Sequence, residues 1–242
     1  MVDLSSERGL QRDEVHQMPP LESGDRLNRD EFERRYQHDH RVKKAELIEG
    51  VVYVASPLRF ESHAEPHGNL IGWMWTYKTA TPGVRLGIEP TLRLDEDNQP
   101  QPDGVLLLPA SAGGMARLTA DDYVEGAPEF VAEVAASSAA IDLNAKLNAY
   151  RRNGVREYLV WQIFENQVSW FTLQGGEYVP LLADADGTVK SQVFPGLWLA
   201  VPALLQGDMA QVLQGLQAGI GAAAHAAFVQ QLGSGSGGDR RS

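Results

Sequence analysis

Residues 128–152, PEFVAEVAASSAAIDLNAKLNAYRR, set a carboxylate in an apolar strand and a lysine on the helix that follows it. From Phe130 to Ala135 every residue is apolar except Glu133, and strand alternation puts Glu133 on the face of Val131 and Ala135. An ionised carboxylate buried there is costly unless it meets a cation, a metal or several donors, or takes up a proton. Farther on, Leu143, Leu147 and Tyr150 recur at helical spacing with Lys146 at the edge of their stripe, so the helix can bring Lys146 back over Glu133. The plainer alternative is a structural ion pair, or a lysine that snorkels to water past Asp142 at i,i+4.

Other residues could join such chemistry, and each also fits an ordinary structural role. Asp103 stands in QPDG before the apolar GVLLLP, and Pro-Asp-Gly alone is a turn signal. Glu46 in AELIEG could be a solvent-facing strand residue. His63 and His67 lie at i,i+4 and could face one metal, but Pro66 marks a first helical turn and spacing sets no acidic third ligand, so a zinc site is not expected. DADG at 184–187 would begin a calcium loop at Leu182 and lacks the closing glutamate, which leaves a turn. The chain has no GxxxxGK loop, GxSxG elbow or HExxH helix, so P-loop chemistry and serine-nucleophile hydrolysis are unsupported.

These groups need a scaffold, and the punctuation of the chain outlines one. Asn28 with Glu31 three residues on predicts a capped helix through about Gln37. Glu46 to Ala55 reads as a strand pair turning near Gly50, and His63 to Ala80 as a helix with Leu70, Met74 and Tyr77 inward. Strands are expected at Val84–Glu89, Thr91–Leu94 and Gly104–Leu108, then a loop from Pro109 to Ala127 into the central strand. After the central helix come a hairpin over Phe164–Gln167 and a further strand pair within 177–200. This order predicts an α/β (α+β) fold, a mixed sheet flanked by helices. Residues 1–25 are expected to form a loose arm, 26–202 one domain, 203–232 a helical segment rich in Ala, Leu and Gln, and 233–242 a flexible tail.

Composition narrows the partners. At 242 residues and 43% apolar content the chain can bury one large core, and no apolar run reaches a membrane span. The N-terminus lacks a secretory pattern and there are no cysteines, which together predict a cytoplasmic protein. A net charge of -11 argues against coating nucleic acid through the overall field, though carboxylates that hold a metal add to that count. Local basic candidates are Arg34, Arg35, Arg41, Lys43 and Lys44, and later Arg151, Arg152 and Arg156.

Taken in order, AELIEG at 45–50, SP at 56–57, His67 before an apolar helix, QPDGVLLLP, PEFVAEVAASS, Lys146 with Tyr150, and NGVREYLVW at 153–161 resemble the Uma-type family of putative restriction endonucleases. The resemblance spans roughly residues 28–202 and implies a restriction-endonuclease-like fold of the PD-(D/E)XK superfamily. It implies that Asp103 and Glu133, with the carbonyl of Val134, hold Mg²⁺ or Mn²⁺, that Lys146 is catalytic and that Glu46 is the early acidic residue. His67 and Tyr150 would be auxiliary. The superfamily lysine normally stands two positions after the glutamate, where this chain has Ala135, and Lys146 would substitute for it. Ala136 and Ser137 replace a more usual Ser-Pro, a departure confined to the turn. The activity implied is cleavage of nucleic acid, DNA foremost, by a possible homodimer. Rival readings are a non-catalytic binding module on the same fold and a metal-dependent hydrolase of small phosphoesters.

Overall fold

The structure, a computed structural model, describes residues 18–235. Of the expected arm, residues 1–17 lie outside that range, as do residues 236–242 of the expected tail. Residues 18–25 are tied down: Leu21 is buried and donates its N–H to Asp39 Oδ2 at 3.1 Å, and Gly24 donates to the carbonyl of Val52. Helix α1 (Arg29–His38) starts where expected, with the Asn28 side chain accepting from Glu31 N–H at 3.0 Å. The Glu31 carboxylate turns to Arg34 and Arg35, so only half of a capping box forms.

Strands β1 (Ala45–Ile48) and β2 (Val51–Val54) form a hairpin whose two turn residues, Glu49 and Gly50, both have positive φ. Such a tight turn matches the twist of its strands. A π-helical turn (Phe60–Ala64) then leads into α2 (Glu65–Ala80). Leu70, Met74 and Tyr77 face inward as their spacing predicts, and Trp73 joins them. Strands β3 (Arg85–Ile88), β4 (Leu92–Arg93) and β5 (Gly104–Leu107) follow. Within the expected loop 109–127, short strands β6 (Arg117–Leu118) and β7 (Val124–Glu125) pair with each other, and β7 also pairs with β4.

The central strand is β8 (Phe130–Ala135), every residue of which is buried. One turn of α3 (Ala139–Ile141), a π-helical turn (Asp142–Lys146) and α4 (Leu147–Asn153) carry the chain over to β9 (Glu157–Gln162), parallel to β8. The hairpin partner β10 (Gln167–Gln174) is followed by β11 (Glu177–Pro180), which also joins the sheet. The further strand pair expected in 177–200 forms as β12 (Thr188–Lys190) with β13 (Trp198–Ala200), and β11 is an additional strand that extends the main sheet. DADG is a turn, with Gly187 N–H closing on the carbonyl of Asp184.

The six-stranded sheet runs β11-β10-β9-β8-β5-β3, mixed in direction and flanked by helices, as the order of elements predicted. Alternation along β8 separates two cores. Phe130, Ala132 and Val134 meet α2 and the C-terminal helices, whereas Val131 and Ala135 meet Tyr150, Val155 and Tyr158. Along β5, Leu106 belongs to the first core and Val105 and Leu107 to the second, which sends Asp103 to the same face as Glu133. Gly104 lets α2 lie against the strand: a Cβ there would stand 2.9 Å from Met74 Sδ.

The C-terminal segment is three helices: α5 (Val201–Leu205), α6 (Met209–Ile220) and α7 (Ala223–Gly235). Gly207 at φ +75° and Asp208, which caps α6 by accepting from Gln211 N–H, make the first break. Residues 233–235 of the expected tail are thus helical. Among the described residues no single helix is long and apolar enough to cross a membrane. Met209–Ile220 and Ala223–Ser234 reach that length and apolarity only together, bent by 65°, and bury Val212, Leu216 and Leu232 in the core.

Glu157, at the start of β9, is fully buried and accepts from Ser191 Oγ and from the N–H groups of Gln192 and Val193. Burial pushes its pKa up to about 7 against those three donors. A carboxyl raised in the fold stabilises it below the unfolded value and loses that contribution as pH rises through the folded value. Unfolding free energy should therefore fall by about 3 kcal/mol from this group between pH 4.5 and 7.5. Urea unfolding of Glu157→Gln at several pH values should show a flatter profile than the wild type; identical slopes would contradict the assignment.

Candidate active site

Five segments converge at the site: the turn into β5 supplies Asp103 and β8 supplies Glu133. The β1 hairpin supplies Glu46, the π-helical turn before α4 supplies Asp142 and Lys146, and the segment entering α2 supplies His63 and His67. Lys146 is only 5% exposed, so it neither snorkels to water nor stays at the edge of its stripe. Its Nζ lies 2.9 Å from Glu46 Oε1, 3.0 Å from Glu133 Oε1 and 3.4 Å from Asp142 Oδ1. The π turn presents Asp142 and Lys146 inward together, and π turns of this kind recur at functional sites.

Each partner is itself held. Tyr150 OH donates to Glu133 Oε1 at 3.1 Å. Ser138 Oγ donates to Asp142 Oδ2, and Tyr158 OH to the Asp142 carbonyl. Glu46 Oε1 also accepts Gln101 N–H at 2.7 Å, fastening the QPDG turn to the same lysine. This gives Glu46, which alone reads as an exposed strand residue, an inward contact.

Three carboxylates around one ammonium leave surplus negative charge out of water. Burial would lower the pKa of Lys146, but Glu133, Glu46 and Asp142 outweigh it and hold the ammonium well above its ordinary value. Burial carries Glu133 well above the carboxylate range despite Lys146, with Asp142, Asp103 and Glu46 adding to the rise. Asp142 is raised for the same first reason. The lysine thus stays charged, and burial favours the protonated forms of both Glu133 and Asp142. Tyr150 is pushed far above its usual value by burial and by Glu133, so it acts as a donor.

Asp103 behaves in the opposite way. Burial pushes it up, yet His63 and the Val134 N–H bring it below the usual range. Its Oδ2 accepts that Val134 N–H at 2.7 Å, while Oδ1 lies 3.3 Å from His63 Nε2. This distance suits an ion pair, but the ring N–H is not aligned for a hydrogen bond, and His63 Nε2 is buried without one. The contact raises the His63 pKa. His67 Nε2 lies 3.1 Å from the carbonyl oxygen of Asp103.

Of the expected metal set, Asp103 and Glu133 share one face, Val134 binds Asp103 through its N–H, and Glu46 and Glu133 meet on Lys146. Among the described residues, the group whose donor atoms all lie within 4.8 Å of one another is His63, His67 and Asp103. Spacing suggested that the two histidines could share a metal but supplied no third ligand; the fold supplies Asp103. Asp142 was legible only as the i,i+4 neighbour of Lys146.

The basic candidates outside the site are largely tied up. Arg34 and Arg35 pair with Glu31, Arg41 with Asp39, Arg151 with Glu177, and Arg152 with Glu49, while Arg156 donates to the Gly113 carbonyl. Lys44 stands nearer the chemistry, paired with Glu89, whose N–H donates to the Asp103 carbonyl.

A mixed sheet with Asp103 at one central strand, Glu133 on the next and a lysine over them defines a nuclease-like fold of the PD-(D/E)XK kind. Residues 29–202 match the model of the Uma2 family, described as "Putative restriction endonuclease", and the chain belongs to that family. Among solved structures it is similar to "a putative nuclease belonging to DUF820" from Anabaena variabilis, with 13% identity, a TM-score of 0.48, and coverage of 71% of this chain and 90% of that one. No curated protein matches the chain.

Proposed function

We propose that the protein is a divalent-cation-dependent endonuclease that hydrolyses phosphodiester bonds in nucleic acid, DNA foremost. The observation that carries this reading is the buried excess of carboxylate over ammonium around Lys146, beside Asp103. Such a donor set fits a hard cation, which takes oxygen ligands and offsets the surplus charge. Asp103 and Glu133, with the Val134 carbonyl, would hold Mg²⁺ or Mn²⁺, and Glu46 would complete the shell. When bound, the cation supplies Lewis-acid polarisation of the phosphodiester and acidifies a water nucleophile.

The chain's own groups divide the remaining work. Lys146, kept protonated by three carboxylates, is no base at neutral pH; it offsets charge developing on the phosphoryl oxygens and orients the attacking water. Tyr150 fixes the Glu133 carboxylate through its hydroxyl. His67 positions Asp103 from its carbonyl side.

Plasmid, single-stranded DNA, RNA and bis(p-nitrophenyl) phosphate, each incubated with Mg²⁺, Mn²⁺ or EDTA, test the substrate class. DNA cutting that EDTA abolishes is the expected result. Turnover of the small ester alone would favour a phosphoesterase, and binding of DNA without cleavage under any cation would favour a binding module.

A further inference from the structure

We infer that His63, His67 and Asp103 form a nitrogen-rich metal position that selects a transition ion of the Zn²⁺ or Co²⁺ class over Mg²⁺. The inference rests on the reading of Asp103 as a cation ligand and extends the site to two residues outside the oxygen-donor set.

The geometry around Asp103 carries it. Three approaches pin this residue: Val134 N–H on Oδ2, and Glu89 N–H and His67 Nε2 on the carbonyl. Oδ1 is left turned toward His63 Nε2. A buried ring nitrogen 3.3 Å from a carboxylate oxygen, yet off the hydrogen-bond line, is an anomaly for a structural pair. It is the expected spacing for two ligands of one ion: bonds of about 2.0–2.1 Å at a tetrahedral angle place ligand atoms about 3.3–3.4 Å apart.

His67 adds the feature that orients metal-binding imidazoles. A carbonyl oxygen only accepts, so the neutral ring carries its proton on Nε2 and keeps its lone pair on Nδ1. A ring N–H held by a backbone carbonyl is how ligating histidines are oriented. The two rings stand 5.7 Å apart between centroids, tilted by 52°, one helical turn from each other. Imidazole donors suit zinc and its spectroscopic substitute cobalt, whereas magnesium and manganese prefer oxygen, and magnesium retains its waters. The exposed Phe60 on the same π-helical turn shows that this segment lies at the protein surface, which gives an ion a way in.

The test titrates Co²⁺ into the untagged full-length chain, follows its visible absorption, and then competes with Zn²⁺ and Mg²⁺. The inference expects one Co²⁺ with the intense bands of a four- or five-coordinate site, displaced by Zn²⁺ but not by about 10³-fold more Mg²⁺. His63→Ala and His67→Ala should each weaken Co²⁺ binding about 10²-fold. Circular dichroism checks folding; if either alanine variant is unfolded, the His→Gln variant at that position replaces it. Displacement by equimolar Mg²⁺, or wild-type affinity in both histidine variants, would overturn the inference. Histidine-dependent Co²⁺ binding without nucleic-acid cleavage would leave the inference standing and remove the nuclease reading. Mg²⁺-supported cleavage untouched by His63→Ala, with no Co²⁺ preference, would do the reverse.

Discussion

Glu133→Gln should lower cation-dependent cleavage by about 10³-fold or more while leaving the melting temperature unchanged or raised. Its carboxylate is one of three around a single ammonium, and burial already drives it toward the protonated form. The amide keeps the volume, can still accept from Lys146 or Tyr150, and removes one of the mutually repelling charges. The fold therefore does not need this charge, whereas holding a divalent cation does. Cleavage rates and thermal melts of the same preparation check both halves. Lost stability with retained cleavage would make Glu133 a structural residue.

Lys146→Met should abolish cleavage and also cost about 3–5 kcal/mol of stability near pH 8, because it leaves the buried Glu133 and Asp142 and the half-buried Glu46 without their cation. The loss should depend on pH in a defined direction. Glu133 and Asp142 already have raised pKa values, and without the lysine they rise further. Their protonated forms stabilise the fold at low pH, and that contribution disappears as pH rises through the folded pKa. The deficit should be largest above neutrality and shrink toward pH 5. Adding Glu133→Gln to Lys146→Met should recover part of it, which urea unfolding at pH 5 and pH 8 would show. A deficit independent of pH would mean that lost packing of the lysine stem, rather than charge, causes it.

The contrast between these two residues bears on what was legible in the chain. β8 could be read because a continuous apolar run broken by one glutamate fits a buried central strand and little else, and alternation alone put Glu133 on the face of α4. Asn28 and the residues around Gly50 were equally readable, since caps and tight turns are local. The π-helical turns were not. Both shift the side-chain phase that a 3.6-residue period assumes, and one of them carries Lys146 from the edge of its stripe to full burial.

Distance along the chain hid the rest. Asp103 lies 36 residues from His67, so no local spacing could announce it as the third member of their cluster. Glu46 gains its inward contact only because the β1 hairpin packs across the QPDG turn. Of the glycines that interrupt the helical pattern of the C-terminal segment, Gly207 and Gly221 do fall at breaks, whereas α6 runs through Gly215 and Gly219, where it packs against Ala200 and Trp198.

The most direct test of the nuclease reading is calorimetric titration of Mg²⁺ and Mn²⁺ into the wild type, Asp103→Ala and Glu133→Ala, with plasmid and single-strand cleavage followed on the same samples. Cation binding and cutting by the wild type, both lost in the two variants while their melting shows a retained fold, is the predicted result. Cleavage that persists in both variants would contradict it.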